Sequence, residues 1–304
     1  MDHLIEYQRP ELRDPVLLVA FAGWNDAAET ATMALRLLIR QWNAEACADI
    51  DPEEFFVFTD TRPQVRGADT AHRQITWPQL RFFAARVPES SRDFVVLLGV
   101  EPQLRWKTLV RVILDYAASL GVSLVFALGG LLADVLHSRP PVLTGSVTDP
   151  ELARRLAHLG LRRSHYEGPT GILGVLGASC REHNLASGSV WGNVPHYVAS
   201  TANPVLSRAL VHAVAELFDL SVDLTELDRA ALRFNAQIAE AIANDSDVRN
   251  YVRQLEQRDG SAGAEPAADD ADSSAVGELP SSESIVEELE EFLRRRGQGG
   301  RSDE

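Results

Sequence analysis

The chain has 304 residues, 45% of them hydrophobic, and a formal net charge of −15. This length is sufficient for one large α/β domain with an appendage, and the hydrophobic content predicts a sizeable buried core. The negative charge disfavours nucleic-acid phosphates and anionic membrane surfaces. We therefore expect neither a nucleic acid nor a membrane as a partner.

The cysteines and the apolar segments favour a reducing compartment. Cys47 and Cys180 are the two cysteines, and they form no CxxC pair, so no disulfide framework is expected. Residues 1–15 carry charges where a secretory signal needs an apolar core. The apolar runs at 16–22 and 122–128 are too short to span a bilayer. We expect a cytoplasmic protein.

Strand and helix patterns alternate through the first two thirds of the chain. The continuous apolar run at 15–23 predicts a strand buried on both faces, and Asn25 or Asp26 can cap the helix that follows over 27–42. Further strands are predicted at 54–58, 80–87, 93–100, 121–128, 142–147 and 189–198. Further helices are predicted at 105–119, 150–159, 171–184 and 203–219. This alternation predicts an α/β domain over residues 1–222, with a mostly parallel central sheet flanked by helices.

The pattern changes after residue 222. Apolar residues at three- and four-residue intervals predict a helical hairpin or a kinked helix over 223–257, packing on the body or on a partner. Residues 258–282 are acidic and poor in large apolar side chains, which predicts a flexible linker. A short amphipathic helix is predicted at 283–296, and a disordered tail at 297–304.

The apolar stripes of these C-terminal helices are candidate partner-binding surfaces. The candidates are Leu227, Phe234, Ile238, Val252, Leu289 and Phe292. The helix at 283–296 has two open interpretations: it docks in a groove of its own chain or of a partner, or it is the last core helix after a long surface loop.

Polar and glycine residues follow several predicted strands and precede one predicted helix. They are Gly23, Trp24, Asn25, Asp134, His137, Arg139, Gly168, Thr170, His196 and Tyr197. Open α/β sheets bind ligands at the carboxyl ends of their strands, so we expect these ten residues to share one cleft. GxGxxG and GxxxxGK[ST] are both absent from the sequence, and the junction after the first strand also fits an ordinary turn.

The histidines permit a catalytic and a structural interpretation. His137 with Asp134 could form an acid–base pair, or both could hold a crossover loop through hydrogen bonds. No GxSxG nucleophile motif accompanies them, and their spacing matches no zinc site. We expect no catalytic residue, no metal and no cofactor.

Five sequence blocks carry a resemblance to a known family. They are AFAGWNDA, LGGLLADVLHSRPPVLTGSVTD, YEGPTGILGVLG, VWGNVPHYVA and DSDVRNYVRQLEQ. In this order they resemble the actinobacterial branch of the proteasome-assembly chaperone family. The resemblance implies an α/β core similar to nucleoside phosphorylases and related hydrolases, homo-oligomers, and protein partners such as proteasome α-subunits. It implies no established catalytic activity.

One feature departs from that family. Members that engage the proteasome α-ring often end in a hydrophobic–tyrosine–any tripeptide, whereas this chain ends in Arg-Ser-Asp-Glu. The leading hypothesis is therefore a non-catalytic protein-binding protein that assists or regulates assembly of a proteasome or similar complex by another route. The alternative is an enzyme or ligand sensor of the phosphorylase or hydrolase type that uses the predicted cleft.

Overall fold

The structure, a computed structural model, describes residues 2–67, 73–162 and 166–261. Its strands are β1 (Leu4–Glu6), β2 (Val16–Ala22), β3 (Glu45–Ile50), β4 (Gln64–Arg66), β5 (Gln74–Thr76), β6 (Leu80–Ala85), β7 (Phe94–Val100), β8 (Leu124–Ala133), β9 (Leu143–Val147) and β10 (Ala186–Pro195). Its helices are α1 (Thr30–Gln41), α2 (Trp106–Ser119), α3 (Pro150–His158), α4 (Ile172–Glu182), α5 (Pro204–Phe218), α6 (Thr225–Asn244) and α7 (Ser246–Ser261). Among the residues described, no helix combines the length and the apolar character needed to cross a bilayer.

Eight of these strands form one mixed sheet in the order β1-β3-β6-β7-β2-β8-β10-β9. The four strands β7, β2, β8 and β10 run parallel to one another, while β1, β3, β6 and β9 pair antiparallel with their neighbours. The α/β fold class is thus confirmed, with a parallel centre and antiparallel edges. The carboxyl ends of the parallel strands meet at one edge of the sheet.

The packing on both faces of the central strand β2 explains why its sequence is apolar at every position. Alternate side chains point to opposite faces of a strand. Leu17, Val19 and Phe21 pack in the core under α2 and α4, and the intervening Val16, Leu18 and Ala20 pack in the core under α1 and α5. Helices therefore cover both faces, and no position of β2 remains for a polar side chain.

One predicted strand is wrong, and four of the observed strands, β1, β3, β4 and β5, were not predicted. Residues 54–58 form turns: the amide of Phe55 donates to the carbonyl of Pro52 at 3.0 Å. The strand in this region is β3, whose Cys47 and Ala48 are fully buried. Small side chains give a weak local strand signal, and β3 forms because β1 and β6 pair with it on either side.

Helices α6 and α7 form the C-terminal part of the described chain and meet at Asp245, whose carboxylate caps α7 by accepting from the Val248 amide at 3.1 Å. Helix α7 extends to Ser261 and so includes the first residues of the range predicted as a linker. The remainder of that linker, the predicted helix at 283–296 and the predicted tail at 297–304 lie outside the described residues.

The apolar stripe of α6 and α7 faces the body of the same chain, which corrects its interpretation as a partner-binding surface. Leu227, Phe234, Ile238 and Val252 are buried, with exposed fractions of 6% or less. Leu227 packs in the α1–α5 core, and the other three pack in a separate cluster with residues such as Val194. Intramolecular burial satisfies these side chains, so they are unavailable to a partner in this conformation. The last two candidates of that surface, Leu289 and Phe292, lie outside the described residues.

A buried carboxylate anchors the segment that leads into β2. The guanidinium of Arg13 donates to both oxygens of Asp93, at 2.7 and 3.2 Å. The backbone amides of Arg13 and Val87 also donate to this carboxylate, at 2.7 and 3.2 Å. Burial raises the pKa of Asp93, but these hydrogen bonds outweigh it, and the net effect lowers the pKa below its ordinary value.

Asp93→Asn should therefore lower the free energy of unfolding at neutral pH by about 2 kcal/mol, because it leaves the Arg13 guanidinium and buried amides without their charged acceptor. The folded-state pKa lies below the unfolded one, so this stabilisation is complete above the unfolded pKa and is lost as pH falls through the folded pKa. Urea unfolding of both proteins at neutral and acidic pH measures the effect. The difference in the free energy of unfolding between the unmodified protein and Asp93→Asn should be smaller at acidic pH.

Asp14→Asn is the matched control. Asp14 pairs with Arg92 at 3.0 Å, but its side chain is about half exposed, so its removal should cost less than about 1 kcal/mol. Equal losses from the two substitutions would contradict the assignment of Asp93 as the anchor.

Candidate functional site

The turn after β2 begins at Gly23, whose φ of +120° is a backbone conformation that disfavours other residues. It leaves Trp24 59% exposed and Asn25 buried. The side-chain amide of Asn25 donates to Glu101 Oε1 at 2.5 Å, and the same oxygen accepts from the amide of Ile172 at 2.9 Å. One carboxylate therefore ties the end of β2 to the first residue of α4.

Glu101 is a site residue that the sequence analysis missed. It directly follows β7, as the Gly23 turn follows β2, so its position after an apolar strand was the available signal. Gly171 precedes α4 in the same place, and a Cβ there would overlap Asn25 Oδ1 and lie 2.7 Å from Glu101 Oε1. A glycine at this position lets the helix start approach the carboxylate closely.

The entry into α1 is also tightly constrained. Ala28 and Glu29 have φ values of 53° and 51°, in the left-handed region that non-glycine residues rarely adopt. The buried carboxylate of Asp26 caps α1, accepting from the amides of Ala31 at 2.6 Å and Thr32 at 3.3 Å and from the Thr32 hydroxyl. Burial raises the pKa of Asp26 above its ordinary value, and the hydrogen bonds oppose that rise. The predicted helix at 27–42 thus begins as a regular α-helix at Thr30, after a turn.

A mainly apolar cavity of about 650 Å³ lies beside this turn. Aromatic, aliphatic and hydroxyl side chains line it: Trp24, Tyr166, Trp191, Leu131, Leu132, Thr144 and Thr170. We call this space the apolar cavity. The Thr144 hydroxyl is buried and has no hydrogen-bond partner among the described residues, so the cavity wall holds one unused polar group.

Three large apolar side chains on this wall are also open to solvent. Trp24 is 59% exposed, Leu132 48% and Tyr166 61%. We call these three residues the apolar rim. The Tyr166 hydroxyl donates to the Pro169 carbonyl at 3.0 Å, and Gly168 lies against the tyrosine, where a Cβ would come within 2.6 Å of the hydroxyl. Gly168 thus lies against Tyr166, and it is not among the described residues that line the cavity.

A second cavity, of about 590 Å³, lies next to the end of β8 and under helices α6 and α7. Asp134, His137 and Arg139 line it, together with Arg162 and Arg258. We call it the arginine cavity. Among the residues that the structure describes, none lines both this cavity and the apolar cavity. The prediction of one shared cleft is therefore wrong: the strand ends are neighbours, but their side chains divide between two cavities.

His137 pairs with Tyr197 and not with Asp134. The Tyr197 hydroxyl lies 2.7 Å from His137 Nδ1 and accepts from the His137 backbone amide at 2.8 Å. Burial lowers the pKa of His137, which favours a neutral ring whose Nδ1 accepts a hydrogen bond from the Tyr197 hydroxyl. Burial also raises the pKa of Tyr197 to about 12. The pair holds the loop after β8 to the turn that follows β10, so His137 has the structural contact that the second interpretation expects of it.

Asp134 has a different neighbour. Its carboxylate lies 3.8 Å from His196 Nε2, and both side chains are substantially exposed. An exposed pair at this distance contributes little. His137 thus contacts Tyr197 and Asp134 contacts His196, so the structure does not support the acid–base interpretation of His137 with Asp134. His196 and Tyr197 are not among the described residues that line either cavity.

The model of the PAC2 family matches residues 20–242 of the chain. The chain belongs to the PAC2 family. A PAC2 family protein from Streptomyces avermitilis is 38% identical, with a TM-score of 0.69, and the match covers 79% of this chain and all of that one. A proteasome-assembly chaperone homologue from Mycobacterium tuberculosis is 37% identical, with a TM-score of 0.70, and the match covers 78% of this chain and 99% of that one.

A more distant likeness concerns the fold alone. An archaeal proteasome activator from Pyrococcus furiosus is 18% identical, with a TM-score of 0.63, over 78% of this chain and 97% of that one. The comparison with curated proteins finds no match. The resemblance to the actinobacterial proteasome-assembly chaperone family, stated from the sequence blocks, is confirmed.

Proposed function

We propose that this PAC2 protein is a non-catalytic protein-binding protein that assists or regulates assembly of a proteasome or similar complex. The observation that carries the proposal is the apolar rim. Trp24, Leu132 and Tyr166 hold large apolar surfaces in solvent around one cavity. Contiguous exposed apolar surface on a soluble protein marks an interaction site, and aromatic anchors dominate the binding energy of such sites.

The family relationships support a proteasome-related partner. A relative more than one third identical is described as a proteasome-assembly chaperone homologue, and a protein of the same fold as a proteasome activator. We extend that partner class to this chain as free proteasome α-subunits, and we expect the protein to act as a homo-oligomer in the cytoplasm.

The geometry gives less support to the enzymatic alternative. A general acid–base mechanism needs the acid, the base and the reacting atom within hydrogen-bond reach. Here His137 is engaged with Tyr197, and Asp134 instead lies 3.8 Å from His196, in a pair whose side chains are both exposed. Ligand sensing without turnover remains compatible with either cavity, and thermal stabilisation without substrate consumption would reveal it.

The direct test is size-exclusion chromatography with light scattering on the full chain, alone and mixed with free proteasome α-subunits from the same organism. A defined homo-oligomer that forms a complex of fixed stoichiometry with the α-subunits is the expected result. An oligomer that leaves the α-subunits unbound would overturn the proteasome assignment while leaving the PAC2 fold intact.

Leu132→Asp should abolish that complex or weaken it by at least about tenfold, because it places a charge within the apolar rim. The side chain is half exposed, so the thermal midpoint of the isolated protein should change little. Titration calorimetry with α-subunits measures the loss.

Leu232→Asp is the matched control for this variant. Leu232 is 73% exposed on α6 and does not line the apolar cavity. If both aspartate variants bind α-subunits as the unmodified protein does, the apolar rim is not the contact surface.

A further inference from the structure

The lining of the apolar cavity favours an uncharged ligand. Among the residues that the structure describes, no charged side chain lines this cavity, and its polar side chains are all neutral. They belong to Asn25, Thr144, Thr170 and Tyr166. The first amide of α4, which could attract an anion, already donates to Glu101 Oε1 at 2.9 Å. A charged molecule would lose its hydration here without gaining a partner of opposite charge, so the cavity disfavours ions.

An indole ring forms one fixed wall of this cavity. Trp191 lies in β10, and its partner in the neighbouring strand β8 is Gly129. A Cβ on Gly129 would overlap the Trp191 ring, so the indole packs directly against the β8 backbone. This close packing holds the ring in place before any ligand arrives. An aromatic molecule could therefore contact the indole without the cost of ordering it.

An unpaired hydroxyl lies beside this ring. Thr144 in β9 is the cross-strand partner of Trp191, and residues directly opposite each other in an antiparallel pair point to the same face of the sheet. The Thr144 hydroxyl is buried and has no hydrogen-bond partner among the described residues. A buried hydroxyl without a partner lowers the stability of the protein. This position therefore calls for a hydrogen-bonding group that a ligand can supply.

We propose that the apolar cavity binds an uncharged aromatic small molecule that directs one hydrogen-bonding group at the Thr144 hydroxyl. The cavity volume of about 650 Å³ lies within the range of about 300–1,000 Å³ that is usual for small-molecule sites. A threonine hydroxyl both donates and accepts, so the ligand group can be a hydroxyl, a carbonyl or a ring nitrogen. The molecule would fill the space beneath the apolar rim, so its binding goes beyond the protein contact proposed above and does not require it.

Equilibrium dialysis of the full chain at neutral pH tests this site with three probes that share one ring system. 2-Naphthol carries a neutral hydroxyl, naphthalene carries no polar group, and 2-naphthoate carries a negative charge. We expect one 2-naphthol to bind per chain with a Kd below about 0.1 mM. Naphthalene should bind about fivefold more weakly, because it cannot make the hydrogen bond to Thr144. 2-Naphthoate should bind at least about tenfold more weakly than 2-naphthol, because its charge would be desolvated.

Thr144→Val tests the hydrogen bond, since it keeps the shape of the side chain and removes the hydroxyl. It should lower the affinity for 2-naphthol about fivefold and leave the affinity for naphthalene unchanged. A purely packing role of Thr144 would change both affinities alike. Thr59→Val removes an exposed hydroxyl outside the cavity, so it is the matched control and should bind both probes normally. A Thr144→Val protein that still prefers 2-naphthol to naphthalene would contradict the proposed hydrogen bond.

A second pair of variants locates the binding site. Leu131→Trp places a larger apolar side chain in the lining of the cavity and should block 2-naphthol and naphthalene. Leu232→Trp adds the same indole at a position on α6 that is 73% exposed and outside this cavity, and it should bind both probes normally. The proposal is overturned if these two variants bind 2-naphthol equally, or if 2-naphthol does not saturate the unmodified protein by about 1 mM. Because the dialysis contains no α-subunits, a failure here does not affect the chromatographic test of the protein contact.

Discussion

Gly130→Ala should lower the free energy of unfolding by about 3 kcal/mol, at the upper end of the range for overpacking a tight core site. Gly130 lies in β8, where its amide donates to the Asn25 carbonyl at 2.9 Å. A Cβ at this position would overlap Thr30 Oγ1 and lie 2.8 Å from the Ala27 carbonyl oxygen. The turn after β2 would have to move away from β8, and urea unfolding followed by circular dichroism measures the cost.

Gly177→Ala is the matched control for this substitution. Gly177 lies inside α4, and the nearest atom to a Cβ there is Arg181 Nη1 at 3.8 Å. Alanine has a higher helix propensity than glycine, so this variant should raise the free energy of unfolding by up to about 1 kcal/mol. A Gly130→Ala protein as stable as the unmodified one would show that the β2 turn does not need close contact with β8.

Asp26→Ala should lower the free energy of unfolding by about 3 kcal/mol, because it leaves two helix amides and a hydroxyl without their shared acceptor in a buried place. Those donors are the amides of Ala31 and Thr32 and the Thr32 hydroxyl. The start of α1 carries the turn beside the apolar cavity, so we expect this variant also to weaken α-subunit binding. Thermal and urea unfolding measure the first effect, and the calorimetric titration measures the second.

Asp26→Asn separates the hydrogen bonds from the charge. The amide oxygen of the asparagine still accepts hydrogen bonds, so this variant should lower the free energy of unfolding by only about 1 kcal/mol. The pKa of Asp26 is higher in the folded protein than in the unfolded one, so the protonated side chain favours folding at low pH. This contribution to the free energy of unfolding falls as the pH rises from the unfolded pKa through the folded one. The asparagine variant should lack that decline. Equal stability of the alanine and asparagine variants would contradict the capping role.

The layered core could be predicted from residue patterns because helix starts and buried strands carry local sequence signals. Asp149 and Asn203 stand before prolines at the starts of α3 and α5, and both caps form, with amide–oxygen distances of 2.9 and 3.1 Å. The apolar run of β2 predicted burial on both faces, which α1 and α5 on one side and α2 and α4 on the other provide. These features depend on few neighbouring residues, so they can be recognised in the sequence alone.

For the candidate site, the sequence predicted where the residues lie but not which of them share a cavity. All ten candidate residues lie at strand ends or helix starts, but whether two strand ends share a cavity depends on what packs between them. Here Tyr197, in the turn after β10, holds the loop that contains His137, and α6 and α7 cover the arginine cavity separately. Glu101 became a site residue because β7 lies beside β2, a pairing that no local pattern specifies.

The sequence by itself determined the PAC2 family, the α/β class and the apolar or polar character of each segment, since these follow from short-range spacing and recognisable blocks. Tertiary structure decided which surfaces remain free. An amphipathic helix has the same periodicity whether its apolar face meets its own body or a partner, and in this chain Phe234 and Val252 meet the body. Three of the exposed large apolar side chains, Trp24, Leu132 and Tyr166, instead lie together around the apolar cavity, which brings the ends of several elements into one place.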